Sequence, residues 1–254
     1  MVELVSYWKI TCSPEVYVEA GKLDPQQIRW WKHLYFNGLG EFFYVNGIQE
    51  AEGENFMEIR CQYPDQEAPA SFRKGSPAWE NSRKGFLVPI GGGKDSAVTL
   101  ELLKQGGNLV YGYIINPRGA SLNTARRAGL PQERVMEAKR TLDPRMLELN
   151  RQGFLNGHTP FSALAAFSTL IGAALLGLDY IALSNESSAN ESTVPGSKIN
   201  HQYSKSFEFE RDFHDYCGRY LPGSGYYFSL LRPLSEFQIA WLFAGMRQYH
   251  DIFR

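Results

Sequence analysis

Six consecutive residues, Gly91-Gly92-Gly93-Lys94-Asp95-Ser96, hold the densest set of reactive and binding groups in this chain. Glycines let backbone N–H groups approach an anion with no Cβ in the way, and a helix start adds donors and a favourable dipole. Lys94, Asp95 and Ser96 add a cation, a carboxylate and a hydroxyl. The apolar run Phe86–Ile90, short enough for a buried strand, leads in, and the helical spacing of Val98, Leu102 and Leu103 leads out. A strand, glycine loop and helix in that order form a phosphate cradle. The bland alternative is a tight turn that binds nothing, but the loop, the Asp-Ser pair and both flanks agree on the cradle.

Spacing narrows the type of cradle. A Walker loop needs a first glycine where Val88 stands and Ser or Thr where Asp95 stands; the dinucleotide fingerprint needs glycine where Ser96 stands. The stretch instead resembles the S-G-G-x-D-S loop of the PP-loop ATP pyrophosphatases, with Gly91 in place of the first Ser. That resemblance implies cleavage of ATP to AMP and pyrophosphate, commonly by adenylating a carboxylate or carbonyl oxygen. Gly91, Gly92, Gly93, Lys94 and Ser96 would hold phosphates, and Asp95 would hold Mg2+.

A second polar cluster is Ser184-Asn185-Glu186-Ser187-Ser188-Ala189-Asn190-Glu191, with two carboxylates, two amides and three hydroxyls in eight residues. Ser and Asn favour turns anyway, so a solvated loop is the plain alternative. Its place after a buried strand favours a functional loop. Asn200–Glu208 follows, and offers His201, Tyr203 and Lys205 as proton carriers. Each could equally be structural.

The elements that position these groups can be inferred around them. Residues 1–83 are expected to form an aromatic-rich α+β region and linker, and 84–254 an ATP-binding α/β domain with a parallel sheet and flanking helices. Asp24-Pro25-Gln26-Gln27 is a capping box opening a helix through Ile28, Trp31, Leu34 and Tyr35, which Gly38 and Gly40 stop. Glu41–Val45 and Phe56–Cys61 have strand composition, the Trp30-Trp31 pair suits core or lid packing, and the Pro-rich stretch 63–84 is a linker. Strands at 86–90, 109–116 and 180–183 alternate with helices at 95–105 and 160–177, and polar helical segments fill 121–152. In such a sheet ligands bind at the carboxyl ends of strands. Gly91–Ser96, Asn116–Arg118 and Ser184–Glu191 all fall there, and Asn116 would lie near the adenosine. Ser235 starts a further capped helix.

Composition sets limits. In 254 residues, 26 basic against 27 acidic side chains and no block of like charge advertise neither nucleic acid nor an anionic membrane. Cys12, Cys61 and Cys217 are far apart, which signals neither a disulfide framework nor a zinc site. The start Met1-Val2-Glu3-Leu4-Val5 has no signal-peptide pattern, so the cytoplasm is expected. Phe161–Leu178 is free of charge, yet its Ser, Thr and Gly content and its Thr159-Pro160 start suit a buried helix better than a membrane span.

Four motifs together resemble a family. Leu87–Ser96, Leu155–Ala163 (L-N-G-H-T-P-F-S-A), Ala182–Glu191 and Asn200–Glu210 (N-H-Q-Y-S-K-S-F-E-F-E) look like the UDP-N-acetylmuramoyl-L-alanyl-L-glutamate epimerases, from about Leu39 onward. The resemblance implies inversion of a terminal L-glutamate in a peptidoglycan precursor, with ATP and Mg2+. It implies catalytic groups among Asp95, Glu186, Glu191, His201, Tyr203 and Lys205, and substrate contacts from His158, Asn185, Ser187, Ser188 and Asn190. The partner would be a small nucleotide-peptide substrate. Family chains are longer at both ends, so a fragment or a shortened relative is expected. Two other readings stay open: a PP-loop ligase or thiolase, which lacks support from a glutaminase nucleophile or paired cysteines, and a nucleotide-binding module without turnover.

Overall fold

The computed structural model describes residues 1–48, 55–62, 83–190 and 203–252. In chain order the first elements are α1 (Leu4–Trp8), β1 (Glu15–Val18), α2 (Pro25–Gly38), α3 (Gly40–Val45) and β2 (Glu58–Cys61). Then come β3 (Arg83–Pro89), α4 (Lys94–Gln105), β4 (Leu109–Ile115), α5 (Gly119–Arg127), β5 (Val135–Ala138) and α6 (Pro144–Arg151). The last are α7 (Phe161–Leu176), β6 (Leu178–Leu183), α8 (Phe207–Tyr220), β7 (Tyr226–Ser229) and α9 (Glu236–Ala244). The contacts divide the chain into two units, each assembled from three segments. The first takes 1–72, 141–164 and 190–209, and the second takes 73–140, 165–189 and 210–254. A linear division at 83/84 therefore describes neither unit in full, and the expected linker at 63–84 lies almost wholly outside the described residues.

In the first unit, Asp24 Oδ1 accepts the backbone N–H groups of Gln26 and Gln27 at 2.7 and 2.8 Å, and Gln27 returns a bond to the Asp24 N–H. This capping box starts α2 as expected. Its face buries Trp31, Leu34 and Tyr35, and β1 pairs parallel to β2 with Val16 opposite Ile59. The expected strand 41–45 is a helix. Leu39, Phe42 and Phe43 are buried while Tyr44 and Val45 are 66% and 68% exposed, so burial repeats at three to four residues and not at two. Trp31 is core, edge-on to Trp30.

The second unit is a five-stranded parallel sheet in the order β5-β4-β3-β6-β7. The expected mixed α/β architecture is the observed one. Two strands were not legible, β5 and β7. Each is only four residues long and forms an edge. On one face α4 and α9 bury Val98, Leu100, Leu103, Ile239 and Phe243 against Val88, Ile90, Val110 and Ile114. On another, α7 approaches closely: a Cβ on Gly172 would lie 2.9 Å from the Tyr113 ring, and Tyr113 shares a 2.6 Å hydrogen bond with Ser168. The apolar segment 161–176 is thus a sheet-covering helix, and among the described residues no helix is long and apolar enough to cross a membrane.

Candidate functional site

Strand β3 is the first of the five-stranded sheet in chain order and sits between β4 and β6, so the connections run off in both directions from it. That makes its carboxyl end the topological switch point, where a crevice opens in sheets of this kind. The glycine loop occupies that end. Gly92 has φ +90, and a Cβ there would lie 2.8 Å from both the Ala120 Cβ and the Ser121 backbone nitrogen. No other residue type fits the backbone or the space. A Cβ on Gly91 would meet nothing within 4 Å. Gly93 is the N-cap of α4 and supplies no side-chain acceptor to the first turn, leaving those N–H groups to other partners.

The polar residues of the loop are already engaged. Ser96 is buried and its hydroxyl donates to the Gly93 carbonyl at 2.9 Å, stiffening the turn. The Lys94 ammonium lies 2.8 Å from Asp95 Oδ1 and 3.3 Å from Glu236 Oε1, the latter from the first turn of α9. Burial alone would depress the lysine, but the two carboxylates outweigh it and hold its pKa above the ordinary value. Lys94 is therefore a fixed positive charge beside the loop.

Beside it, the segment leaving β6 is tied down residue by residue. The Thr99 hydroxyl of α4 donates to the Ser184 hydroxyl at 2.9 Å. The Asn185 amide donates to the Ser229 hydroxyl at 3.1 Å, Arg232 Nη1 donates to the Glu186 carbonyl at 3.1 Å, and the Ser187 N–H donates to the Leu234 carbonyl. The Glu186 carboxylate accepts the Ser188 hydroxyl at 3.0 Å. Beneath it, Glu210 Oε2 accepts Ser229 Oγ at 2.7 Å and Arg232 Nη2 at 3.1 Å, with 9% and 14% of the Glu210 and Arg232 side chains exposed.

Asn116 closes the other side. It adopts φ +51 at the end of β4, a conformation that asparagine tolerates. Its side-chain oxygen accepts the Arg140 N–H at 2.7 Å, so this amide pins the chain leaving β5.

The second unit thus brings together 91–96, Asn116 and Asn185–Ser188, with the glycine loop, β4 and β6 all contributing carboxyl ends as expected. The first unit carries His158, Asn190, Tyr203 and Lys205. There Asn190 Oδ1 accepts the Phe207 N–H at 2.7 Å. Tyr203 is buried, with its ring edge-on to His33 and Phe209, and Lys205 is exposed. Glu191 and His201 lie outside the described residues. Sequence reasoning missed Glu210, Ser229, Arg232 and Glu236. Of these Glu236 carried a signal as the first helical residue after the Ser235 cap, and Glu210 as the last residue of the Asn200–Glu210 motif.

Comparison with known proteins adds to this geometry. Residues 1–230 match the family described as the MurL N-terminal domain, so the similarity reaches the first residue and does not begin at Leu39. A UDP-N-acetyl-alpha-D-muramoyl-L-alanyl-L-glutamate epimerase of Xanthomonas oryzae pv. oryzae is 38% identical over 247 residues, 96% of this chain and 52% of that one. Proteins of the same name from Salinispora tropica and a Micromonospora species are each 32% identical over 250 residues, 98% of this chain and 52% or 53% of theirs. The chain spans about half the length of the curated relatives it matches. Among solved structures it is similar to a predicted subunit of a tRNA methyltransferase from Methanocaldococcus jannaschii, at 16% identity and TM-score 0.38 over 64% of this chain and 75% of that one.

Proposed function

This chain belongs to the MurL N-terminal domain family, and from that premise we propose that it carries the nucleotide-activating site of an ATP-dependent glutamate epimerase in peptidoglycan precursor synthesis. The substrate would be the one its relatives are named for, UDP-N-acetylmuramoyl-L-alanyl-L-glutamate. The observation that carries the reading is the bare glycine loop at the switch point, flanked by Lys94 and Asp95 and facing the segment that presents Glu186.

The loop suits a triphosphate. Gly91 and Gly92 leave the strand exit without side chains, and the first turn of α4 offers N–H donors. Lys94 is partly exposed, and ion pairs in that setting are worth only about 0–1 kcal/mol. Phosphate oxygens can therefore replace Asp95 and Glu236 as its partners at little cost. Asp95, with 35% of its side chain exposed, is a hard oxygen donor suited to magnesium. Bound there, the metal would neutralise phosphate charge.

The chemistry explains the need for ATP. A proton beside an ionised carboxylate is hard to remove, because the carbanion would sit next to a full negative charge. Adenylating the glutamate carboxylate removes that charge, so a modest base can take the α-proton and an acid can return it to the opposite face. Forming the adenylate releases pyrophosphate, and its hydrolysis by water then frees the D-product and AMP. Asn185 and Glu186 would orient the substrate or a water. The base would be His201, Tyr203, Lys205 or a carboxylate such as Glu186 or Glu191, or a residue in the part of the longer relatives that this chain does not span.

The test is chiral analysis of the glutamate after incubating the purified protein with ATP, Mg2+ and the L-Ala-L-Glu nucleotide. Accumulation of D-glutamate supports the reading. A new amide with unchanged stereochemistry would assign a ligase instead.

A further inference from the structure

We infer that Arg232 is a positioning residue for Glu186, held in that task by Glu210 and Ser229; the inference deepens the reading of the 184–188 segment as part of the reaction site and rests on it. Glu186 leaves β6 on a segment with no regular sheet partner of its own, so its carboxylate is only as fixed as the backbone that carries it. Arg232 fixes that backbone directly, since Nη1 donates to the Glu186 carbonyl at 3.1 Å. The other arm of the same planar fork, Nη2, donates to Glu210 Oε2 and Ser229 Oγ, both at 3.1 Å. Ser229 in turn donates to Glu210 at 2.7 Å and accepts the Asn185 amide at 3.1 Å.

The arrangement is a closed set of bonds around a nearly buried ion pair. Glu210 comes from α8, Ser229 from the end of β7 and Arg232 from the turn after it, so three elements converge on two consecutive residues of one segment. A guanidinium is required because two donors in a rigid plane must reach two acceptors at once. A buried pair of this kind contributes little net stability over an apolar alternative. What it does supply is a fixed direction for the segment. None of these three side chains needs to touch substrate.

The test compares the purified protein with its Arg232→Lys variant, which keeps a positive charge for Glu210 but has a single nitrogen. Four readouts are taken: the melting temperature, amide exchange across 184–188, kcat and KM for AMP release, and kcat of the Glu186→Gln, Arg232→Lys double variant. Melting should stay within a few degrees, while exchange at the Ser187 N–H rises about tenfold or more. Loss of position on the ångström scale costs on the order of a hundredfold in kcat, with the KM for ATP nearly unchanged. The double variant should be no slower than Glu186→Gln alone, because both act through one group. If Arg232→Lys does not fold, Ser229→Ala gives the same readouts by cutting the link between Asn185 and Glu210. Unchanged exchange, or raised exchange with full kcat, overturns the inference. A parent protein that makes no AMP, while exchange still rises in the variant, sinks the reaction assignment and leaves the positioning intact.

Discussion

The Thr99 hydroxyl donates a 2.9 Å hydrogen bond to the Ser184 hydroxyl across 85 positions of sequence. One residue lies in the helix that follows the glycine loop, the other at the exit of β6. The bond therefore couples the glycine loop and its helix to the segment carrying Asn185 and Glu186, the two stretches of greatest chemical density in the chain. Thr99 is fully buried and Ser184 is half-buried.

Thr99→Val keeps the shape and deletes the donor. Stability should fall by about 1 kcal/mol in urea melts, the usual cost of one buried hydrogen bond. The same variant should lose kcat for AMP release more than affinity for ATP. A variant as stable and as active as the parent would show that the two stretches are not coupled through this bond.

The glycines of the loop make opposite predictions. Gly92→Ala forces a side chain into φ +90 and into contact with Ala120 and Ser121, so melting should drop by the equivalent of ~1–3 kcal/mol. Gly91→Ala meets open space and should melt like the parent and keep its ATP affinity, since the loops this one resembles carry Ser at that position. Equal melting of the two variants would contradict this geometry.

How much of this was legible in the sequence differs by element. The strand 86–90, its loop and helix α4 were legible because an apolar run, three glycines and a helical spacing follow one another without interruption. The α2 capping box and the Ser235 cap were legible for the same reason: each signal fits within four residues. Helix α3 was not, because Phe42-Phe43-Tyr44-Val45 has strand composition and only the burial of Leu39 two residues upstream of Glu41 reveals the helical period. The Glu210–Ser229–Arg232 set was invisible, since its members belong to α8, β7 and a turn, and meet only once the sheet order is known. The interleaving of 141–164 and 190–209 with the N-terminal unit was hidden likewise.

Asp95→Asn preserves shape and removes the charge next to Lys94. AMP formation should fall by at least tens-fold if a charged metal contact is lost from the transition state, with melting unchanged. Near-normal turnover would reduce Asp95 to a first-turn acid that complements the helix dipole.

Proton transfer should be separable from activation. His201→Ala, Tyr203→Phe and Lys205→Ala are to be compared for AMP release and for uptake of deuterium at the glutamate α-carbon in deuterated water. One of the three should keep the first signal and lose the second. If all keep both, or all lose both, the base lies elsewhere: a glutamate of the 184–191 loop, or a residue in the part of the longer relatives that this chain does not span.

Alkaline pH should weaken the fold. Burial pushes the Cys217 thiol from 9.0 up to about 12, and burial raises the Tyr249 phenol too, with the Glu101 carboxylate adding to the shift. A group whose folded pKa is raised gives stability that is fully present below its unfolded pKa and is lost as pH rises through the folded one. Melting temperature should thus decline above about pH 9, and Cys217→Ala should flatten part of that decline. A flat profile between pH 9 and 11 would contradict the burial of these groups.

Cleavage at the glycine loop is proposed to fall between the α- and β-phosphates of ATP, and phosphorus NMR of the nucleotide products identifies the bond that breaks. With ATP, Mg2+ and the L-Ala-L-Glu nucleotide present, AMP and pyrophosphate should appear in equal amounts. ADP and orthophosphate as the products would contradict it.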